Sequence, residues 1–349
     1  MARALKSRSR VLSPSDWENL PDEELLPLRV RDLGLKIEDS PLQACVDQLH
    51  EELSAKGLSF RPPCFLADEW FCPDKVPIIG IPFCLSHPRL KQIEQRKMYE
   101  VEGGADVSCM RLLRHECGHA INYAHDLYKR TRWRELFGAF SAHYSTIYHF
   151  QPYSRHYVVH LEDNYAQAHP DEDFAETFAV WLTPGSDWEN KYADWPVISK
   201  LRYVDNLMRR IGEKAPTNTQ RQTPYSASRM TSTLEAYYAR KRKYMGEDFP
   251  GYYDDSLKVV FSDSRKSAGA TRAARVLRKF RKQIVNGVTA WTGHRKYDIH
   301  HLVRRLVRRC DALGLYTRSG EAETVIEVTA LVCAIVDRAL TPEALKGQQ

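Results

Sequence analysis

Apolar positions along the chain recur at helical spacing in some stretches and break into proline-punctuated runs in others. Leu42, Cys45, Val46 and Leu49 share one face of a helix predicted over 41–56, and a short helix at 22–26 is stopped by Pro27. Between 60 and 85, Pro62, Pro63, Pro73, Pro77 and Pro82 exclude long helices, so apolar runs such as 76–81 read as short strands. The strongest helical signal covers 108–128, where Leu112, Leu113, Cys117, Ala120 and Ala124 recur and Asp106 or Ser108 can cap. The stretch 130–161 is rich in aromatics and histidine but has no clean period. A second strong helix covers 170–182. Pro170 suits its first turn, Asp171, Glu172 and Asp173 suit the positive end of its dipole, and Thr183-Pro184-Gly185 stops it. A third helix is expected over 195–211. Residues 213–229, rich in Pro, Thr, Gln and Ser, read as a linker or long loop, and helices follow near 232–245, 271–286, 298–313 and 320–340. Residues 1–20 are polar and expected to be loose.

Length and composition narrow the class. A chain of 349 residues, 43% apolar and 28% charged, can bury a sizeable core and is not disordered throughout. The net charge of +6 is too mild to imply nucleic acid by itself. Mean hydropathy is −0.51, and no run approaches the roughly 20 apolar residues of a membrane helix. The start, 1–12, is basic without an apolar stretch, so no secretory signal is expected. The eight cysteines, at 45, 64, 72, 84, 109, 117, 310 and 333, form no CxxC pair; they read as reduced, mostly buried thiols of a cytoplasmic protein.

Residues 115–119 read His-Glu-Cys-Gly-His. On a helix, His115 and His119 lie one turn apart on one face and can reach one metal ion, while Glu116 beside them can take a proton from a metal-activated water. Cys117, turned about 200° from that face, reads as packing. A third ligand is needed, and two candidates compete. His125 stands six residues after His119, the spacing of metzincins, although Asn122 occupies the position where those proteins bend at a glycine. Glu172 and Glu176 share a helix face one turn apart. Two acids there repel mildly, and a metal supplies a reason for the pair: Glu172 as ligand, Glu176 accepting an N–H from a ligand histidine.

The block 114–120 (Arg-His-Glu-Cys-Gly-His-Ala), Trp133 with Leu136-Phe137-Gly138, and the run from Tyr165 through Leu182 together resemble the zinc-binding metallopeptidases of bacteria. These are gluzincin-like proteins with HExxH and a downstream EDxAE helix. The resemblance extends over Trp188 to Met208, more loosely to 80–83, and in all covers roughly 60–255; a Cys-rich N-terminal ribbon carried by some members is missing. It implies Zn²⁺, one per chain, with Glu172 as third ligand, Glu176 supporting a histidine, Glu116 as general base and His125 in packing. Tyr165 stands seven residues before Glu172, the offset at which a tyrosine of lethal-factor-type gluzincins points into the site, and its phenol would donate to the oxyanion.

The expected architecture is α+β, mainly α. An N-terminal segment 1–59 precedes a zincin-like catalytic domain 60–212 with a small sheet, a linker and helix 213–255, and a basic helical C-terminal region 256–349. The expected function is zinc-dependent peptide-bond hydrolysis on a peptide or protein substrate, with the run 76–81 offering an edge for an extended peptide. The alternatives are a zinc-holding scaffold that turns nothing over, or a metzincin using His125. His156 and His160 are further candidates for the cleft, among the neighbouring His87, His143, His149 and His169. The C-terminal region carries Arg272, Arg275, Arg278, Lys279, Arg281 and Lys282, then Arg304, Arg305, Arg308 and Arg309, with Trp291 and Tyr297 between them. A solvated face is the simpler reading of these charges, and a nucleic-acid surface the other. No membrane association is expected, and oligomeric state stays open.

Overall fold

A computed structural model describes residues 11–98, 101–144, 151, 154–243, 253–264 and 270–339. It is mainly helical, 59% helix against 5% strand. The chain divides into two compact units, one formed by 1–97 with 101–240, the other essentially by 241–349.

In the first unit, α1 (Pro14–Trp17) departs from the looseness expected of 1–20. Ser13 and Asp16 bond reciprocally as a capping box, and Trp17 is fully buried with its indole N–H donating 3.0 Å to the Leu33 carbonyl. One buried tryptophan offsets the ordering cost that the polar flanks suggested would not be met. After α2 (Asp22–Leu25), α3 (Pro41–Ala55) starts from Ser40, whose hydroxyl accepts from the Leu42 N–H. Strands β1 (Cys64–Ala67) and β2 (Ile79–Pro82) pair in parallel, Cys64 opposite Ile79. The far edge of β2 is taken. Gly80 exchanges backbone hydrogen bonds with Phe71, and all four residues of β2 are buried, so the edge expected to receive a peptide is closed there.

Helix α4 (Pro88–Met98) follows, and then α5 (Asp106–Ala124), which is buried almost throughout from Cys109 onward. It packs on α3, β2 and, most extensively, α7 (Pro170–Leu182). Two features of the sequence make that crossing. The side chain of His169 accepts the Asp171 N–H and starts α7 where Pro170 fits the first turn. Gly118 lets the backbones meet: a Cβ there would lie 2.7 Å from Ala175 Cα. Helix α6 (Thr131–Phe137) brings Trp133 and Phe137 against Phe174. After α8 (Trp188–Lys191), α9 (Ile198–Ile211) packs on α7, with Lys200 reaching Asp173 at 2.6 Å. The Pro/Thr/Gln/Ser-rich stretch is tied back to the same unit, since Thr217 and Asn218 donate to the Ala124 carbonyl at the end of α5. The unit ends within α10 (Leu234–Lys243), at Arg240.

The second unit has α11 (Asp254–Val260), a two-residue pairing of β3 (Phe261–Ser262) with β4 (Tyr316–Thr317), and three long helices, α12 (Ala273–Thr292), α13 (Lys296–Ala312) and α14 (Glu321–Ala339). Its core is aliphatic, drawn from the apolar faces of all three. No helix among the described residues is long and apolar enough to cross a membrane.

Candidate metal centre

The α5–α7 crossing brings three donor atoms together. His115 Nε2 lies 3.0 Å from Glu172 Oε2, His119 Nε2 lies 3.2 Å from the same oxygen, and the two Nε2 atoms are 3.1 Å apart. All three side chains are buried. The other ring nitrogens are occupied. His115 Nδ1 meets Glu176 Oε1 at 2.8 Å, and His119 Nδ1 meets Asp171 Oδ2 at 2.9 Å. An ionised carboxylate only accepts, so each Nδ1 carries the hydrogen and each Nε2 turns its lone pair inward. Two imidazole lone pairs and one carboxylate oxygen thus converge without a donor between them. Such a set calls for a cation. Tetrahedral coordination at roughly 2.0–2.1 Å separates ligand atoms by roughly 3.3 Å, close to the triangle found. His115, His119 and Glu172 can therefore hold a metal ion.

The carboxylates around the two rings favour positive charge at this point. Burial pulls His115 down, but its hydrogen bonds to Glu172 and Glu176 and the Glu172 charge outweigh that and push it up to about 10. His119 behaves alike: burial opposes and Asp171 with Glu172 prevail, raising it well above the ordinary imidazole value. Burial alone would raise Glu172, yet the two histidines hold it below the usual carboxylate range. The cluster favours positive charge, whether carried by protons on the rings or by a metal ion.

The carboxylates that hold the histidines are themselves held. Asp171 accepts from Asn122 Nδ2 at 2.7 Å and from the Tyr123 hydroxyl at 2.5 Å, and Glu176 Oε2 accepts the Leu161 N–H at 2.8 Å. Glu116 is buried, makes no hydrogen bond to a described residue, and is raised by burial against the opposing pull of His115 and His119. The Tyr165 ring lies 5.6 Å from that of His115. Its hydroxyl meets that of Tyr144 at 2.5 Å, and Tyr144 donates to Glu172 Oε1 at 3.1 Å.

His125 is not part of this cluster. α5 stays helical through Asn122 to Ala124, so His125 arrives at the C-cap, half-buried, with its ring edge-on to Phe60 at 6.0 Å. Without a bend after His119, six residues turn it about 240° from the ligand face. Cys117 is fully buried. His160 contacts the Arg111 carbonyl, His87 stands against Trp17 and Glu18, His143 and His156 are exposed, and His149 lies outside the described residues.

Asp171, Asn122, Tyr123 and Tyr144 were not legible as site residues. Asp171 had a signal: two ligand histidines need two Nδ1 acceptors, and Glu176 serves only one. Tyr144 sits in the aperiodic stretch and had none. In the second unit, Arg278 pairs with Asp311, Lys279 with Glu321 at 2.6 Å and Arg309 with Asp254, while Arg272 lies over the Tyr316 ring at 4.7 Å. Trp291 is exposed, but Tyr297 is buried and offers no stacking face. No family model matches the chain, and neither a curated protein nor a solved structure was found to match it.

Proposed function

We propose that the first unit is a zinc-dependent peptide hydrolase of the gluzincin type, on a zincin-like fold. One observation carries the reading: the buried triangle of His115 Nε2, His119 Nε2 and Glu172 Oε2, each histidine oriented by its own carboxylate. Two nitrogens and one carboxylate oxygen suit Zn²⁺. Zinc, when bound, supplies a Lewis acid that polarises a carbonyl and acidifies water. Glu116, buried and raised in proton affinity, accepts the proton from the attacking water and returns it to the leaving amine. Tyr165, its ring against His115, supplies a phenol donor for the oxyanion. Tyr144 holds the Glu172 oxygen that faces away from the histidines, which favours a single ligating oxygen. The substrate is a peptide or protein, and the eight cysteines, none of them in a disulfide, suit a reducing cytoplasm.

Elemental mass spectrometry of purified wild type, Glu172→Ala and His125→Ala is the direct test. The expected result is about one zinc per chain, lost with Glu172 and kept without His125. Loss with His125 and retention without Glu172 would assign a metzincin-type site instead. Glu116→Gln should then keep zinc and abolish peptide hydrolysis; undiminished hydrolysis would remove Glu116 from the mechanism, and zinc without turnover in wild type would leave a metal-holding scaffold.

A further inference from the structure

A concavity in the first unit, about 500 Å³, lies between α6 and α9 and includes none of the metal-centre residues. Four arginines line it, Arg130, Arg132, Arg202 and Arg210. Only Arg132 has an acidic partner, Glu135 at 2.8 Å, and that pair is exposed. Arg130, Arg202 and Arg210 make no ion pair with a described residue. The nearby Asp205 is directed elsewhere, to Arg209 at 2.9 Å and the Trp181 indole at 3.1 Å. A surface shaped only for solubility intersperses both signs; four arginines on one concavity repel one another until an anion joins them.

The floor adds a second feature. Tyr203 lines the concavity with its ring against Phe137, and its hydroxyl oxygen is buried without a hydrogen-bond partner. Burial raises this phenol while Arg130, Arg132 and Arg210 pull it back, which puts three of the four guanidinium groups within electrostatic reach of the hydroxyl. Buried polar atoms are rarely left unpaired, and an oxygen-rich anion would accept the Tyr203 hydrogen. Asn206 lines the same wall, its amide nitrogen donating 2.8 Å to the Arg202 carbonyl. Arginine, with its planar fork of donors, matches phosphate oxygens in pairs where lysine offers a point charge. The volume suits a small molecule.

We propose that this concavity binds a di- or triphosphate group, with Arg130, Arg132, Arg202 and Arg210 clamping the phosphates and Tyr203 donating from the floor. The site stands independently of the metal centre, and its role does not depend on hydrolysis.

The test is calorimetric titration of the full chain with sodium pyrophosphate, tripolyphosphate and ATP at about 0.15 M salt. Saturable binding near one per chain is expected. Arg202→Ala and Arg210→Ala should each weaken it about tenfold or more, and Tyr203→Phe less. Arg209→Ala removes the same charge from the same helix but outside the wall, and should change affinity by less than about twofold. Pyrophosphate also ligates metal ions, so Glu172→Ala must bind it as wild type does. Tighter binding of ATP than of tripolyphosphate would assign a nucleotide, and equal binding the phosphate chain alone. No saturable binding, equal losses in Arg202→Ala and Arg209→Ala, or loss confined to Glu172→Ala would overturn the proposal. All these substitutions except Glu172→Ala lie on exposed or half-buried side chains, and circular dichroism checks that each variant is folded.

Discussion

The two units handle charge in opposite ways. Every buried charged or histidine side chain among the described residues belongs to the first, from Glu52 and Arg114 to Asp173, Glu176 and Lys200. Among the described residues of the second, the polar side chains buried as a whole are three threonines, Thr289, Thr317 and Thr324. At the level of total charge the order reverses. Residues 1–240 carry 30 Lys and Arg against 33 Asp and Glu, whereas 241–349 carry 21 against 12, a net of +9. The mild excess of the whole chain is therefore the sum of a slightly acidic unit and a strongly basic one. Buried ions cost several kcal/mol unless paired, so a unit that keeps nine buried Asp, Glu, Lys and Arg side chains among its described residues bears a cost the second unit avoids. The second unit follows the ordinary rule of an aliphatic core under a solvated shell.

That contrast can be broken by experiment, and six of the seven tryptophans precede residue 240, so their fluorescence reads mainly the first unit. The largest effect is expected at the buried pair joining α3 to α5. Arg114 Nε and Nη2 each donate at 2.7 Å to one oxygen of Glu52. Arg114→Ala strands that carboxylate and should cost about 3–5 kcal/mol in urea unfolding followed by tryptophan emission. A loss under about 1 kcal/mol would show that buried ions here are cheap. Metal removal comes next. Chelation should lower the stability read by tryptophan by about 4 kcal/mol if zinc stands a thousandfold above its dissociation constant, and Glu172→Ala should be insensitive to chelator.

Gly118→Ala sharpens the comparison at shorter range. Its new methyl meets Ala175 backbone, so stability should fall by about 1–3 kcal/mol, and zinc affinity should fall with it because the same contact spaces the donors. A stability loss with unchanged zinc affinity would uncouple the crossing from the site. The smallest effect belongs to the second unit. Arg309 beside Asp254 holds that carboxyl below its ordinary value. Its contribution is present above pH of about 4 and is lost as pH falls through the depressed value; Asp254→Asn should flatten this acid limb in far-ultraviolet dichroism, and high salt should do the same.

The sequence was most legible where one residue type admits few explanations. His115, Glu116 and His119 at helical spacing, with Glu172 and Glu176 one turn apart, are written in the chain, and the structure brings His115, His119 and Glu172 within hydrogen-bonding distance of one another and Glu176 within that distance of His115. The long amphipathic helices were equally plain: α9 buries Leu201, Val204, Leu207, Met208 and Ile211 as its period requires. Short elements were legible only in part: α2 and a strand overlapping β2 were read, but α1 and α6 were not. α1 depends on one tryptophan finding Leu33, and α6 is seven residues whose burial comes from Phe174 on another helix. Tertiary contacts stabilise these pieces, and no local pattern announces them. Asp171 was hidden for a different reason: an acid in a first turn already has a sufficient local explanation, so its second task passed unnoticed.

The close approach of Gly118 to Ala175 has a consequence for how the protein tolerates change. In the pentapeptide His-Glu-Cys-Gly-His the two middle letters are usually regarded as free. A library randomising both, selected for folded and zinc-loaded protein, should return small apolar residues at 117 and little but glycine at 118. Selection would thus read four fixed letters where chemistry asks for three, and the extra one would report the distance between two helices.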